Sequence, residues 1–417
     1  MPINQRHAQR TSNKPRNIKY HNQKLILSMF RKRDILSIAE ISKRINLSKT
    51  TVTKVVNDFQ AKGLVLATGK GDSTDVGGKK PEMFSFNAAY SQVIALTIGT
   101  NSIEGAVLDL KCGLISQDYL ACDPKTPYQR AVQNMADMIR RMTKDGGIKI
   151  DKMHPIVVGC EGIIDAGSGI IHYTMHHQWG QNLPLRDDLV QALGVDATIY
   201  LDNNLRLAGY ADMILDENPY DSQAVIITTR SAGGSILENQ QLVHGVNGFI
   251  GEVGHMIIEP YSKIQCACGG YGCFGALVSP ETVLARCRNE YRRFPKSLIF
   301  AKAQGGTLKI TDLFEAANRR DPFSCAILDR VIHYFTIVIH NIVLLRDPEK
   351  IIIQGIYSDA GDYFLKNLQK KVNSLPFYKM DRNLPITYSS VSGFNPYLIG
   401  AGYYAVDVLL DFNSLYD

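Results

Sequence analysis

One segment just past the middle of the chain restricts the fold more than any other feature. It reads Gly251-Glu252-Val253-Gly254-His255 and, beginning eleven residues after His255, Cys266-Ala267-Cys268-Gly269-Gly270-Tyr271-Gly272-Cys273. Thiolate and neutral imidazole are the preferred ligands of tetrahedral zinc, and structural zinc sites fill all four positions. The glycines let the backbone turn tightly enough for three sulfurs to reach one ion. We therefore predict a zinc site formed by His255, Cys266, Cys268 and Cys273.

The alternative is a run of buried or redox-active cysteines. Eight cysteines in 417 residues, three of them within eight positions, give little support for a disulfide framework.

The first twenty residues are basic and lack the apolar core of a signal peptide. The apolar run 334–345 is shorter than the roughly 20 residues that span a bilayer. We expect a cytoplasmic protein with no membrane partner.

The positive charge is concentrated at one end of the chain. Residues 1–80 contain 17 Lys and Arg but only 5 Asp and Glu, so this part carries +12 and the remainder carries −6. A split of this kind indicates a nucleic-acid module joined to a body with a different task. Residues 1–20 are predicted to form a disordered basic arm.

The pattern of residues 21–87 predicts a winged helix-turn-helix. Ser37 and Glu40 have the spacing of a capping box, Ile45-Asn46-Leu47 provides a turn, and Ser48 can cap a second helix from Lys49 to about Lys62. Two short strands, 64–68 and 83–86, flank a Gly- and Lys-rich loop that resembles a wing. The alternative is a three-helix protein-interaction module with a solvated basic face.

Charge, hydroxyl groups and a wing together favour DNA. Small hydroxyls and cations at the start of the second helix can enter a major groove, and the wing can contact the backbone or the minor groove. The predicted DNA contacts are Ser48, Lys49, Thr50, Thr51, Thr53, Lys54, Lys79 and Lys80.

Beyond residue 87 the chain alternates strand-like and helical segments, which is typical of α/β folds. Strands are predicted at 93–98, 105–110, 156–159, 197–201, 224–228 and 350–353, and helices at 129–142, 324–345 and 395–410. Two similar halves are compatible with this order.

Taken in order, these segments resemble the ROK family from about Lys24 to the end of the chain. The most specific match is Gly-Glu-x-Gly-His followed by Cys-x-Cys-Gly-x-x-Gly-Cys, and the winged helix matches the transcriptional-repressor branch, typified by the xylose repressor. The resemblance implies an actin-like, hexokinase-like body with a sugar cleft. It places the first lobe at 88–205, with a C-terminal helix returning at about 395–417, and the second lobe, with the zinc site and a dimer interface, at 206–394.

The residues that the resemblance assigns to phosphoryl transfer are altered. ATP-using relatives carry Asp-x-Gly-x-Thr in the first hairpin, where this chain reads Thr97-Ile98-Gly99-Thr100-Asn101. A second Gly-rich phosphate loop reads Ser231-Ala232-Gly233 beside Arg230. Asn204 stands where an Asp takes the proton of the sugar hydroxyl, and an amide cannot accept it at neutral pH. The counter-argument, that Asp202 acts instead, requires its side chain to point to the opposite face of a strand.

The sugar site is expected to survive in part. The resemblance assigns sugar contacts to Asn203, Glu252 and His255, with Asn204 beside them, and gives one ring nitrogen of His255 to the metal and the other to the sugar. A family Glu two places after the last cysteine is replaced by Gly275. Glu161, which replaces a Pro, is expected to face the cleft. The loop with His176, His177, Trp179, Gln181 and Asn182 either closes over a sugar or packs on the lobe.

These features predict a dimeric, sugar-responsive transcriptional regulator, a repressor without catalytic activity, that binds operator DNA and a monosaccharide or sugar phosphate. The first alternative is an active ATP-dependent sugar kinase fused to a DNA-binding domain. The second is a zinc hydrolase, which would need an open coordination position that three cysteines and one histidine do not leave.

Overall fold

The computed structural model describes residues 15–32, 35–71, 80–175, 177–216, 220–229, 232–375, 383–391 and 395–411. Lys79, His176, Arg230 and Ser231 lie outside these ranges, as do residues 1–14 of the basic arm and most of the wing loop. Residues 15–20, which the sequence assigned to a disordered arm, belong to the first helix instead. Proline is favoured in the first turn of a helix, where its missing N–H is not needed.

The N-terminal domain is a helix-turn-helix closed by a small sheet. Its elements are α1 (Pro15–Lys32), β1 (Leu36–Ser37), α2 (Ile38–Ile45), α3 (Lys49–Ala61), β2 (Val65–Lys70) and β3 (Glu82–Phe86), with strand order β1-β3-β2. The capping box is present: the Glu40 amide donates to Ser37 Oγ (3.2 Å), and the Ser37 amide donates to Glu40 Oε2 (2.8 Å). Asn46 ends α2 in the left-handed conformation, which turns the chain into α3.

The first lobe is built on a five-stranded sheet of order β11-β7-β4-β5-β6. Its elements are β4 (Gln92–Ile98), β5 (Ser102–Asp109), β6 (Leu114–Ala121), α4 (Tyr128–Asp145), β7 (Ile156–Cys160), α5 (Leu185–Leu193) and β11 (Ile199–Asn203). Strands β4, β5 and β6 are antiparallel, whereas β7 and β11 run parallel to β4. A small antiparallel sheet, β8 (Ile163–Asp165), β9 (Ile170–Tyr173) and β10 (Gln181–Leu183), follows β7.

The second lobe repeats this topology, with strand order β14-β13-β12-β15-β16. Its strands are β12 (Ser222–Thr228), β13 (Ala232–Glu238), β14 (Gln241–Leu242), β15 (Lys350–Gly355) and β16 (Ile386–Tyr388). Its helices are α7 (Phe274–Val278), α8 (Pro280–Glu290), α9 (Phe300–Gln304), α10 (Ile310–Asn318), α11 (Pro322–Arg346) and α12 (Gly361–Asn373). Three antiparallel strands followed by two parallel ones occur in both lobes, so the chain contains two similar halves.

Helix α11 is the only helix in the described residues that is long and apolar enough to cross a membrane. Its most apolar window is 61% buried, and Phe323, Phe335 and Ile339 pack in the core of the second lobe. Because these side chains are already covered by protein, α11 is the central core helix of that lobe.

Helix α6 (Asn204–Leu215) and the C-terminal helix α13 (Pro396–Leu410) join the parts of the molecule. Helix α6 follows β11 of the first sheet and packs against β13 of the second, while α13 packs on β4 and α6. A Cβ at Gly400 would lie 1.9 Å from the Leu207 carbonyl oxygen, so only glycine permits this close crossing. On its other side, α13 meets the winged helix, where Asp407 pairs with Arg31 and Asp411 with Lys24.

Candidate functional site

The candidate cleft begins where β11 ends and α6 starts. Asn203 Oδ1 caps α6 by accepting the Leu205 amide at 2.7 Å, and its Nδ2 donates to the Gly162 carbonyl at 2.7 Å. Asn203 is thereby fixed between the helix and the loop after β7. Only 5% of the residue is exposed, so any ligand would meet a preformed group.

Asn204 is buried, with 3% of the residue exposed. Its Nδ2 donates to the Ile98 carbonyl at 2.9 Å, while its Oδ1 has no hydrogen-bond partner among the described residues. A Cβ at Gly159 would lie 2.3 Å from that oxygen, so the glycine makes room for the amide. The geometry connects Asn204 to the end of β4.

Asp202 is engaged in a buried charge network. Its Oδ1 accepts Arg206 Nε at 2.6 Å, its Oδ2 is 2.7 Å from His244 Nε2, and both Asp202 and Arg206 are 1% exposed. Burial opposes ionisation, but the Arg206 guanidinium and the His244 imidazole hold the pKa of the Asp202 carboxyl well below its usual range. A carboxylate paired on both oxygens is poorly suited to accept a substrate proton.

Glu252 and His255 lie at a short 3₁₀ turn, Val253–His255. Glu252 Oε2 is 3.9 Å from His255 Nε2, and His255 Nδ1 is 3.6 Å from Cys266 Sγ. One ring nitrogen therefore faces the cysteines and the other faces the carboxylate. Burial raises the pKa of Glu252, although nearby Arg206 acts in the opposite direction.

His255, Cys266, Cys268 and Cys273 converge on one point, with one potential ligand atom from each lying within 4.8 Å of all the others. The sulfurs of Cys268 and Cys273 are 3.8 Å apart. Gly272 has a positive φ of 71°, and a Cβ there would lie 2.0 Å from the Glu259 carbonyl oxygen, so the loop needs glycine at this turn. The four side chains could hold a single metal ion.

The turn of the first hairpin has no acidic residue, but Glu161, which follows β7, lies beside it. Thr100 Oγ1 donates to Glu161 Oε2 at 3.0 Å, which places a carboxylate at the turn between β4 and β5. His177 Nε2 is 3.2 Å from the Gly99 carbonyl oxygen on the same turn. Gly233, from the second Gly-rich segment, lies within β13.

Trp179 packs on the first lobe. It is 7% exposed, stacks on His177 with ring centroids 4.2 Å apart, and donates from Nε1 to the Thr126 carbonyl at 2.9 Å. Of the two alternatives for this loop, packing on the lobe is therefore the observed one.

Gly275 lies in α7, where a Cβ would be 3.0 Å from the Ala232 amide nitrogen. The position that lacks the expected acid is therefore one of close backbone packing.

The N-terminal face of α3 is exposed and basic. Ser48, Lys49, Thr50 and Lys54 are exposed, as is Lys80 at the base of the wing. Thr51 and Thr53 are half-buried and make local hydrogen bonds, to Ser48 Oγ and to the Lys49 carbonyl respectively. Val52, Val55, Val56 and Phe59 are buried on the opposite face, so packing turns the cations of α3 outward.

The sequence reasoning missed Arg206 and His244. Asp202 and Arg206 are four residues apart, a spacing that could have indicated an ion pair, although Asp202 ends a strand and Arg206 lies in the first turn of the following helix. No local signal pointed to His244, because its partner lies 42 residues away.

Solved structures match the whole architecture. A ROK family transcriptional regulator, a homologue of the E. coli MLC protein, superposes with a TM-score of 0.75 over 96% of this chain and 99% of that chain, at 19% identity. A ROK family glucokinase from Streptomyces griseus, in complex with glucose and AMPPNP, superposes with a TM-score of 0.60 over 76% of this chain and 100% of that chain, at 19% identity. The class is thus a winged helix-turn-helix joined to a two-lobed body of the hexokinase-like sugar-kinase fold.

The ROK family model matches residues 93–407, and a winged helix-turn-helix DNA-binding model matches residues 21–65. The chain belongs to the ROK family. Among curated relatives, the xylose repressor of Bacillus subtilis is 23% identical over 395 residues, covering 94% of this chain and 97% of the relative.

Proposed function

We propose that this chain is a sugar-responsive DNA-binding transcriptional regulator that represses carbohydrate-utilisation genes. One observation carries the proposal: an exposed basic recognition helix and a sugar-kinase-like body share one chain, and the body has lost its general base. Asn204 cannot accept a proton, and Asp202 is held by Arg206 and His244. The full-length match to the xylose repressor supports the same function.

The proposed mechanism requires two copies of the chain. In a homodimer, each α3 reads one half of a palindromic operator, and the distance between the two helices decides whether both bind at once. Sugar bound in the cleft changes the angle between the lobes and with it that distance. DNA affinity then changes by no more than the sugar's preference for one of the two states. We place this protein in the cytoplasm, where operator and sugar meet.

We propose zinc as the metal of the His255 cluster. With bonds of about 2.3 Å to sulfur and about 2.0 Å to nitrogen, a tetrahedral zinc site has ligand separations of roughly 3.5–3.8 Å. Two of the six pairwise separations, 3.6 Å and 3.8 Å, fit these values, and all six lie within 4.8 Å. The ion would fix the orientation of His255 and brace the turn that carries Glu252. With all four positions filled by protein, no position is open for a catalytic water, which argues against a hydrolase.

The experiment that tests the function is DNA binding to the upstream region of the chain's own gene. Fluorescence anisotropy would be recorded without ligand and with a panel of sugars and sugar phosphates. We expect specific binding whose affinity changes with at least one sugar. Sequence-independent binding that no sugar alters would contradict the proposal.

The second candidate function is an active sugar kinase fused to a DNA-binding domain, which the fold shared with the glucokinase favours. An assay for ADP release across monosaccharides separates the two functions. We expect no turnover. Turnover that survives Asn204→Ala but is lost in Asp202→Ala would establish the kinase.

A further inference from the structure

Arg206 makes hydrogen bonds that span both lobes. From α6 it donates through Nε to Asp202 Oδ1 at 2.6 Å and through Nη2 to the Ile164 carbonyl of β8 at 3.0 Å. Through Nη1 it donates to the Gly248 carbonyl at 2.8 Å and to the Ile250 carbonyl at 3.5 Å. A planar guanidinium can serve several acceptors in one fixed geometry, which an ammonium cannot.

The carbonyls of Gly248 and Ile250 belong to a second-lobe segment, residues 244–250, that leads directly into Glu252 and His255. Apolar packing does not hold the tip of this segment, since Val246 is 93% exposed and Phe249 is 59% exposed. Two polar attachments do: His244 contacts Asp202, and Gly248 contacts Arg206. Both attachments lead back to the β11–α6 junction of the first lobe.

The segment also approaches β8 without an intervening side chain. A Cβ at Gly248, whose φ is +72°, would lie 2.1 Å from the Ile164 carbonyl oxygen. That oxygen is itself bound by Arg206 Nη2. The buried side chain of Arg206, three residues after Asn203, therefore contacts both the strand end that carries Asn203 and the segment that leads into Glu252. We call residues 248–252 the 248–252 wall of the candidate cleft.

We infer that Arg206, oriented by Asp202, is a positioning residue. It fixes the position of the 248–252 wall relative to Asn203 and so determines whether the cleft can bind a sugar. The inference deepens the proposed sugar response and depends on it for its ligand, but the order of the wall can be measured without ligand. Among the described residues, Arg206 makes no hydrogen bond to Asn203, Glu252 or His255, although its charge opposes the burial that raises the pKa of Glu252. It acts through the backbone of Gly248 and Ile250.

The test compares Arg206→Met, Arg206→Lys and a matched control, Arg186→Met, in the full chain. Arg186 also donates to loop carbonyls, those of Gly167 and Ala166, but both lie in the first lobe. Amide hydrogen exchange would be followed by mass spectrometry, and the binding of D-xylose, D-glucose and N-acetyl-D-glucosamine by calorimetry. If Arg206→Met does not fold, His244→Ala removes the other attachment of the same segment from a more exposed position.

We expect Arg206→Met to raise exchange in residues 244–252 by at least about tenfold while α11 keeps its protection. Any of the three sugars that binds the wild type should bind this variant at least about tenfold more weakly, with DNA affinity in the absence of sugar unchanged. Arg206→Lys should keep the pairing with Asp202 but not protect the segment fully, and Arg186→Met should leave it protected.

Unchanged exchange in residues 244–252 would overturn the inference. So would exchange that rises equally in α11, because Arg206 would then only stabilise the fold, and so would full protection in Arg206→Lys, because charge alone would then suffice. If none of the three sugars binds the wild type, the proposed sugar response loses support, while the exchange data still decide the role of Arg206.

Discussion

Three acidic or amide side chains near the β11–α6 junction show how surroundings decide chemistry. Asp202 is ionised and paired, Asn204 donates to a backbone carbonyl, and Asp212, two turns further along α6, is buried with neutral hydrogen-bond partners and Lys350 as its nearby charge. Burial raises the pKa of the Asp212 carboxyl to about 6, against the opposing effect of hydrogen bonds from Ser389, the Ser390 amide and Gln354. The pKa of an aspartate is therefore lowered at Asp202, at the end of β11, and raised at Asp212, on α6.

Asp212 gives a prediction for stability against pH. Its folded pKa lies above its unfolded value of 3.8, so the folded state binds more protons between pH 4 and about 6, and stability falls as pH rises through that window. The shift corresponds to about 3 kcal/mol. Asp212→Asn removes this titration, and Gln354 can turn its unpartnered Oε1 toward the new amide. We expect wild type to lose stability relative to Asp212→Asn over this window.

Urea denaturation of both chains at intervals from pH 4 to pH 8 measures the difference. A stability difference that stays constant with pH would contradict the prediction, because Asp212 would then have the same pKa in the folded and unfolded states.

The metal site gives a second prediction at this scale. Cys268→Ser removes one of four ligands and should lower the metal content of the purified protein from about one zinc per chain to a small fraction of that. Cys325→Ser is the control, because Cys325 lies on α11, away from the cluster. Plasma mass spectrometry measures the metal, and DNA binding with sugar measures the response. Full zinc content and an intact response in Cys268→Ser would refute the assignment.

At the scale of elements, α3 owes its orientation to a cap and to its buried face. The Thr51 amide donates to Ser48 Oγ at 3.1 Å, which starts the helix, and Val52, Val56 and Phe59 are fully buried. These contacts leave Lys49 and Lys54 on the exposed side. The cations of α3 face outward because its valines are buried in the core on the opposite side of the helix.

Lys49→Ala and Lys54→Ala should each weaken operator binding and lower the slope of log affinity against log salt by about one. The slope falls because a variant that makes one phosphate contact fewer releases fewer counterions when it binds DNA. Lys144→Ala, an exposed lysine of α4, removes the same charge from the other domain and should leave the slope unchanged. Anisotropy at several salt concentrations provides the slopes. Equal slopes for all variants would mean that α3 does not face the phosphates.

At the scale of the molecule, α13 lies between the candidate cleft and the DNA-binding domain. Its Asp407 accepts hydrogen bonds from Tyr210 of α6 and Arg31 of α1. Helix α6 begins directly after its cap residue Asn203, so this carboxylate joins the helix of the cleft to the first helix of the DNA-binding domain. Its neighbour Asp411 pairs with Lys24 at a more exposed position, with side-chain exposures of 43% and 31%.

Asp407→Asn should reduce the factor by which a sugar changes operator affinity, because Arg31 loses its charged partner while α3 keeps its contacts. We expect a loss of stability of about 1–3 kcal/mol, below that of a fully buried pair because Asp407 is 28% exposed. Asp411→Asn should cost less and preserve the response. Operator titrations with and without sugar decide the matter. An undiminished response in Asp407→Asn would exclude this connection as the route.

Much of the fold could be predicted from the sequence where the signal is local. The capping box at Ser37, the turn at Asn46 and the buried strands β4, β7 and β12 follow from spacing and apolar periodicity. Strand β6 was missed because its exposed residues give it no buried apolar face of its own. The small sheet of β8, β9 and β10 was missed because strands of three and four residues show no period.

The sequence by itself determined the four residues of the His/Cys cluster, the cations of α3 and the absence of a carboxylate at Asn204, because each depends on residue type and short spacing. Only the tertiary structure decided that Asp202 is locked by Arg206 and His244, that Glu161 lies at the first hairpin turn, and that Asp407 joins α6 to α1. Asp202 is 42 residues from His244, Glu161 is 61 residues from Thr100, and Asp407 is 197 residues from Tyr210. Such contacts form only when packed sheets and helices bring remote segments together, so no local pattern encodes them.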